Sequence, residues 1–326
     1  MNTYEQEKQG RIVEVRKNSF LIDCEGRELT AVLRGGFYAE TPEHWPVVGD
    51  FVSFLDNPAG DALIFAVQPR KSYLQRPKDS KLGGAQGMVA NVDYCFIVTS
   101  LNNNYNVNRI ARYASVALQG GAIPVAILTK ADLCDDAERY VREAQGVSDK
   151  LRVHAVSALE GTGLAALQEY FTPGTTICLM GSSGAGKSTL INALAGEEIM
   201  KTAAIRESDA KGRHTTTRRQ LVKLPNGVAI IDTPGMREIG AALAEEGVDD
   251  AFSDILALAQ ECRFGNCRHE TEPGCAVKAA IARGELSSER LRLFQSLEAE
   301  SAGHQAKMKQ ISKLAKAYKK NKNKMI

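Results

Sequence analysis

The chain is poor in aromatic residues, which make up 6% of its 326 positions and include a single Trp. That scarcity argues against a dedicated single-strand stacking platform, which needs several clustered rings. Long apolar runs are missing as well. Stretches such as Ile123–Leu128 fall far short of the roughly 18 residues that a membrane-spanning helix needs. Around Glu5, Glu7 and Lys8 there is no apolar segment of the signal-peptide kind. No membrane partner is therefore expected, and a cytoplasmic location is. An overall excess of one charge is lacking too, with 41 Lys and Arg against 39 Asp and Glu. What is present, 44% apolar and 25% charged residues, is the composition of a soluble globular protein and excludes a wholly disordered, collagenous or coiled-coil chain. The length suggests two or three domains. Nothing in the sequence demands a dimer, so a monomer is expected.

The near-neutral total conceals an asymmetry. Residues 307–326 hold eight lysines and no acid, so residues 1–306 carry −6 of the overall +2. A basic tail on a mildly acidic body points to a polyanionic partner, or else to a solvated tail. The seven cysteines are also uneven. Cys24, Cys95, Cys134 and Cys178 are isolated and read as small apolar residues. By contrast, Cys262, Cys267 and Cys275 fall close together and bracket His269. In a cytosolic chain such a cluster favours a metal over disulfides. Three thiolates and one imidazole form a closed tetrahedral set suited to one structural Zn²⁺, with no open position for a catalytic water.

Residues 1–70 read as a barrel of five short strands: Arg11–Arg16, Phe20–Cys24, Glu28–Leu33, Asp50–Leu55 and Leu63–Gln68. An OB-fold is expected, and an SH3-like barrel fits nearly as well. Residues 71–91, rich in Gly and Lys or Arg, read as a linker. From Val92 to about residue 245, apolar strands alternate with helices, the pattern of a doubly wound α/β sheet. Residues 246–326 read as helical, with a helix opened near Pro273-Gly274 and closed by Gly284.

The strongest chemical signal is Gly181-Ser182-Ser183-Gly184-Ala185-Gly186-Lys187-Ser188, followed by Thr189. It has the spacing of a phosphate-binding loop between an apolar strand, Thr175–Met180, and a helix. Its glycines let backbone N–H groups face phosphates, and the helix N-terminus adds partial positive charge. Lys187 is expected to bridge the β- and γ-phosphates and Ser188 to ligate Mg²⁺. Asp232-Thr233-Pro234-Gly235 follows another apolar strand and suits a γ-phosphate sensor. Asp232 would act on Mg²⁺ through water, and Gly235 would offer its N–H. Between them, Gly212–Thr217 suits a first switch, with Thr216, or its neighbours Thr215 and Thr217, completing the Mg²⁺ shell.

Base choice rests on Thr129-Lys130-Ala131-Asp132 at a strand end. A carboxylate at Asp132 accepts from both N1–H and the 2-amino group of guanine, donors that adenine lacks. The competing role for Asp132 is a helix N-cap. Ser157-Ala158, after a further strand, offers a backbone N–H to guanine O6. Both motifs beside a phosphate loop make the case for GTP. Their order is unusual, because the guanine-reading residues precede the phosphate loop, and the pieces read as a circularly permuted GTPase.

The permuted order, the N-terminal barrel and the Cys262/Cys267/His269/Cys275 cluster together resemble the ribosome small-subunit-dependent GTPase A family, RsgA or YjeQ. The resemblance spans essentially the whole chain. It implies an OB-fold, a permuted α/β GTPase core, a zinc-binding helical domain and a late role in maturation of the small ribosomal subunit, with rRNA contacts. The family's base-reading motif commonly begins with Asn. Thr129 in its place removes an amide expected to brace the phosphate loop and the base, so somewhat weaker GTP binding is expected. Many GTPases also place a water-orienting Gln directly after the sensor Gly. Here Met236 stands there, so low intrinsic activity is expected, with His214 in the first switch as the residue that positions water.

Overall fold

The computed structural model describes residues 7–36, 45–57, 59–77, 85–102, 104–182, 184–200, 219–232, 252–296 and 299. Five strands build the N-terminal unit: β1 (Glu7–Val15), β2 (Phe20–Cys24), β3 (Arg27–Leu33), β4 (Phe51–Leu55) and β5 (Ala62–Val67). They run in the order β1-β2-β3-β5-β4, and β1 pairs with β4 to close the ring. β3 and β5 are parallel and every other pairing of the ring is antiparallel. This is an OB-like closed barrel. Strand β1 is long enough to pair on both sides, and its register shifts between Ile12 and Glu14, a bulge that bends the strand round the ring. Ile12, Phe20, Ile22, Val52, Phe54 and Ile64 fill the interior.

The stretch expected to be a linker contains two strands. Strands β6 (Tyr73–Pro77) and β7 (Ala85–Ala90) form an antiparallel pair. Leu74, Met88 and Val89 are buried in the core of the next unit, and the Tyr73 N–H donates to Gly120 O at 2.8 Å. Apolar residues on its two strands anchor the ribbon; the Gly and Lys-rich residues 78–84 lie outside the described residues.

The central unit contains β8 (Tyr94–Ser100), α1 (Val107–Gln119), β9 (Ile123–Thr129), α2 (Ala137–Gln145), β10 (Arg152–Val156) and α3 (Leu164–Leu167). It continues with β11 (Thr176–Met180), α4 (Lys187–Ala195), β12 (Gln220–Lys223) and β13 (Ala229–Asp232). The strand order is β10-β9-β8-β11-β13-β12, parallel except for the antiparallel β12. Alternate residues feed two cores, as a sheet covered on both faces requires. Phe96, Val98, Ile127 and Leu179 pack with Leu190 and Ile191 of α4 on one side. Cys95, Ile97, Leu128 and Met180 pack with Ile110 and Ala114 of α1 on the other. From β8 the chain winds outward to β10, then returns to place β11 beside β8. The order therefore reverses between β8 and β11, and ligands of such sheets bind in that crevice at the strand C-termini.

Antiparallel pairing of β1 with β12 runs the barrel into the central sheet, and polar side chains add to the junctions between units. Arg11 of the barrel donates to Thr176 Oγ1 of β11 at 2.7 Å and to the carbonyls of Gly49 and Asn91. Burial brings the Arg11 pKa down to about 10. At the C-terminal side lie α5 (Ser253–Gln260), α6 (Ala276–Ala282) and helical residues 288–296. Phe252, Ile255 and Phe294 share the core behind α1. Arg290 forks onto Asp254, at 2.7 and 2.8 Å, and donates to the carbonyls of Gly146 and Val147 at the end of α2. Replacing Arg290 with Met is expected to lower global stability by about 1–3 kcal/mol, read from urea midpoints. Arg290 holds Asp254 below the ordinary carboxylate range despite its partial burial. A depressed carboxylate stabilises the fold above its unfolded pKa, so this contribution is present at neutral pH and is lost on acidification below about pH 4.

Candidate functional site

Every described segment that the sequence nominates for nucleotide binding lies on one edge of the sheet. The loop 181–186 follows β11, residues 130–132 follow β9, Ser157-Ala158 follow β10, and Asp232 ends β13. The chain order is permuted while the spatial arrangement is that of a nucleotide-binding α/β sheet.

The loop's geometry depends on its glycines. Gly181 has φ +146°, and a Cβ there would sit 2.2 Å from the Val98 carbonyl oxygen of β8. Gly184 and Gly186 have φ +79° and +89°, a left-handed backbone that carries side chains poorly. Lys187, the first residue of α4, turns its Nζ back over the loop and donates to Gly181 O and Ser182 O, each at 2.9 Å. Its ammonium is thereby held above the curled backbone. Ser188 lies half-buried in the first helical turn, Thr189 beside it is exposed, and Asp232 is half-buried. Ser183, Thr215, Thr216, Thr217, His214, Gly235, Met236 and the lysine tail lie outside the described residues.

Thr129 supplies a brace of its own on the loop side. Its buried hydroxyl donates to Ala185 O at 2.6 Å, so this residue braces the phosphate loop although it is not Asn. The hydroxyl is short, but the close packing of Gly186 against Thr129 lets it reach. Thr129→Ala would leave a buried carbonyl unsatisfied, and we expect about tenfold weaker nucleotide binding, with Thr129→Ser near the parent. Displacement of fluorescent GDP measures both.

Lys130 adopts left-handed backbone angles and starts a single 3₁₀ turn, Ala131–Leu133, that carries Asp132 outward. Asp132 is exposed. The competing capping role belongs to another residue, because Asp136 caps α2 by accepting from Arg139 N at 3.0 Å. The Ser157 N–H is committed to Thr162 O, which makes Ala158 the candidate donor to O6. Leu133 and Leu159, next to the two motifs, are 68% and 86% exposed. Neither leucine belongs to a motif, so no sequence signal marks them.

The Cys/His cluster is assembled. Ligand atoms of Cys262, Cys267, His269 and Cys275 lie within 4.8 Å of one another. The Cys262–Cys275 sulfurs are 3.9 Å apart, and His269 Nδ1 is 3.7 and 3.4 Å from them. A tetrahedron with Zn–S of about 2.3 Å and Zn–N of about 2.0 Å requires edges of about 3.5–3.8 Å. The residues therefore fit one zinc ion. Burial alone pushes the Cys262 thiol up, yet N–H groups of Val277 and Ala276 at the start of α6 bring it below its ordinary value. That favours the thiolate a metal needs.

Comparison with known proteins agrees with this geometry. A family model described as RsgA GTPase matches residues 67–242. A model described as ABC transporter matches residues 164–323, a span that includes the phosphate loop. The chain is 44% identical over 300 residues to a small ribosomal subunit biogenesis GTPase RsgA of Listeria innocua, covering 91% of this chain and 85% of that protein. It is 47% identical over 253 residues to the protein of that name from Methanosarcina acetivorans, covering 77% and 69%. Among solved structures, YjeQ from Thermotoga maritima superposes with a TM-score of 0.66 at 27% identity, over 91% of this chain and 99% of that one. YloQ, a circularly permuted GTPase, gives 0.61 at 20%, over 93% and 98%.

Proposed function

The chain belongs to the RsgA GTPase family, and from that premise we propose that it is a switch in late maturation of the small ribosomal subunit, where the subunit stimulates its Mg²⁺-dependent GTP hydrolysis. The observation that carries this reading is the convergence of Lys187, Thr129, Asp132 and Asp232 on one sheet edge, in a chain whose relatives are called small ribosomal subunit biogenesis GTPases.

Asp132 and Ala158 would bind guanine, and the backbone of 181–188 would cradle the phosphates. Ser188, Asp232 and Thr216 would hold Mg²⁺, which neutralises phosphate charge when bound. Lys187 would face the β- and γ-phosphates, and the Gly235 N–H would sense the γ-phosphate. His214 would accept a hydrogen bond from the attacking water, the task that Met236 cannot perform. With Met236 where many GTPases carry a water-orienting Gln, activity without the subunit would be low.

Residues 1–70, 71–91, 92–245 and 246–326 would act as barrel, connector, GTPase and zinc-binding units. The barrel, the zinc-binding helices and the lysine tail would contact rRNA, and neutralising several phosphates makes such binding strongly salt-dependent. The protein would act in the cytoplasm as a single chain. Among the described residues no helix is long and apolar enough to cross a membrane.

The test is phosphate release from GTP with and without purified small subunits, using large subunits and ATP as controls. Strong stimulation by small subunits alone, lost in His214→Ala, supports the reading. Absence of stimulation with nucleotide binding intact removes the ribosomal assignment.

A further inference from the structure

The loop after β8 reaches across the crevice to the phosphate loop. Asn104 Nδ2 donates to Ser182 Oγ at 2.7 Å. Asn104 is itself gripped by Arg109 from the first turn of α1, whose guanidinium donates to Asn104 Oδ1 at 3.2 Å and to its carbonyl at 2.8 Å. The Arg109 contact fixes the amide orientation, because the oxygen receives the guanidinium and the nitrogen is left to face Ser182. Asn102 Oδ1 accepts from Asn104 N at 3.1 Å and completes the clasp. Ser182 is thus held twice, by Asn104 on its side chain and by Lys187 on its carbonyl. Turning Ser182 would turn the carbonyl that supports the Lys187 ammonium.

The position in the fold makes this contact consequential. β8 and β11 are the neighbours between which the strand order reverses, so the loops leaving them form the two walls of the crevice. The wall after β8 is also joined to the base-reading segment, since the Leu101 N–H donates to Thr129 O at 2.8 Å. We propose that Asn104, oriented by Arg109, is a positioning residue that sets the phosphate loop for guanine nucleotide through Ser182. The proposal rests on reading residues 181–188 as the phosphate-binding loop.

A double-mutant cycle on the full chain tests it, with equilibrium binding of fluorescent GDP and competition by GTP as readouts. Asn104→Ala and Ser182→Ala should each weaken nucleotide binding about five- to tenfold, the effect of losing one hydrogen bond. The double variant should be no weaker than either single one. Arg109→Ala should weaken binding in the parent and have no further effect in the Ser182→Ala background. The melting temperature without nucleotide should stay near the parent's in Ser182→Ala, which removes only a hydroxyl.

Affinity within twofold of the parent in Ser182→Ala, or losses that multiply in the double variant, overturns the proposal. Should Asn104→Ala fail to fold, the Ser182→Ala and Arg109→Ala pair decides alone. Lys187→Ala serves as the control for the underlying reading. Loss of binding there with intact binding in Ser182→Ala refutes the positioning role only, whereas intact binding in Lys187→Ala refutes the phosphate loop itself.

Discussion

Asp132→Asn is expected to lower the affinity for GTP about 100-fold and to raise that for xanthosine triphosphate. The carboxylate accepts two hydrogen bonds from guanine, and a charged acceptor makes each worth roughly 1.5–3 kcal/mol. An amide keeps one acceptor and turns the other position into a donor, which clashes with the guanine 2-amino group and suits the xanthine oxygen. The structure favours a clean outcome. Asp132 is exposed on a short turn and the capping of α2 is done by Asp136, so the change carries no folding cost of its own. Competition binding with the three triphosphates measures it. An enzyme that uses ATP would be indifferent to the substitution.

Removal of the metal from the Cys/His cluster is expected to have the largest effect on stability. Structural zinc in small sites contributes on the order of 10–16 kcal/mol of folding free energy at neutral pH. The loop 262–275, which contains short turns and no strand, carries all four ligands. Chelation, or Cys275→Ala, should release one zinc ion per chain and reduce the helical circular dichroism. Because Phe252, Ile255 and Phe294 lie in the same core as α1, the loss should also lower the melting temperature of the GTPase unit. Chelation that leaves both helicity and melting unchanged would defeat the zinc reading.

Much of the fold is legible because its signals are local. The strands of the central sheet are apolar runs flanked by turns, and the observed spans differ from the sequence reading by only a few residues, as with Ile123–Thr129 or Thr176–Met180. The phosphate loop and the Cys/His spacing are legible for the same reason, since each is a contiguous pattern imposed by one ligand. Closure of the barrel in the order β1-β2-β3-β5-β4 is not local, and sequence alone left OB and SH3-like forms open.

What escaped the sequence are pairings between distant residues. Asn104 and Ser182 are 78 positions apart, Arg290 and Gly146 are 144, and Arg11 and Thr176 are 165. Periodicity carries no trace of such contacts. The Thr129 hydroxyl meets Ala185 O across 56 positions, a contact that residue type alone does not show. The β6–β7 pair is hidden in the sequence because the Gly and Lys-rich composition of the stretch outweighs the apolar residues on its strands, Leu74, Met88 and Val89.

The central claim is that separate strand ends, brought together in permuted order, form one guanine nucleotide site. Titration calorimetry of the purified chain with GDP, GTP and ATP in the presence of Mg²⁺ tests it most directly. One guanine nucleotide bound per chain, abolished in Lys187→Ala, with ATP failing to compete, is the predicted result. ATP binding as tightly as GTP, or guanine nucleotide binding that survives loss of both Lys187 and Asp132, would contradict it.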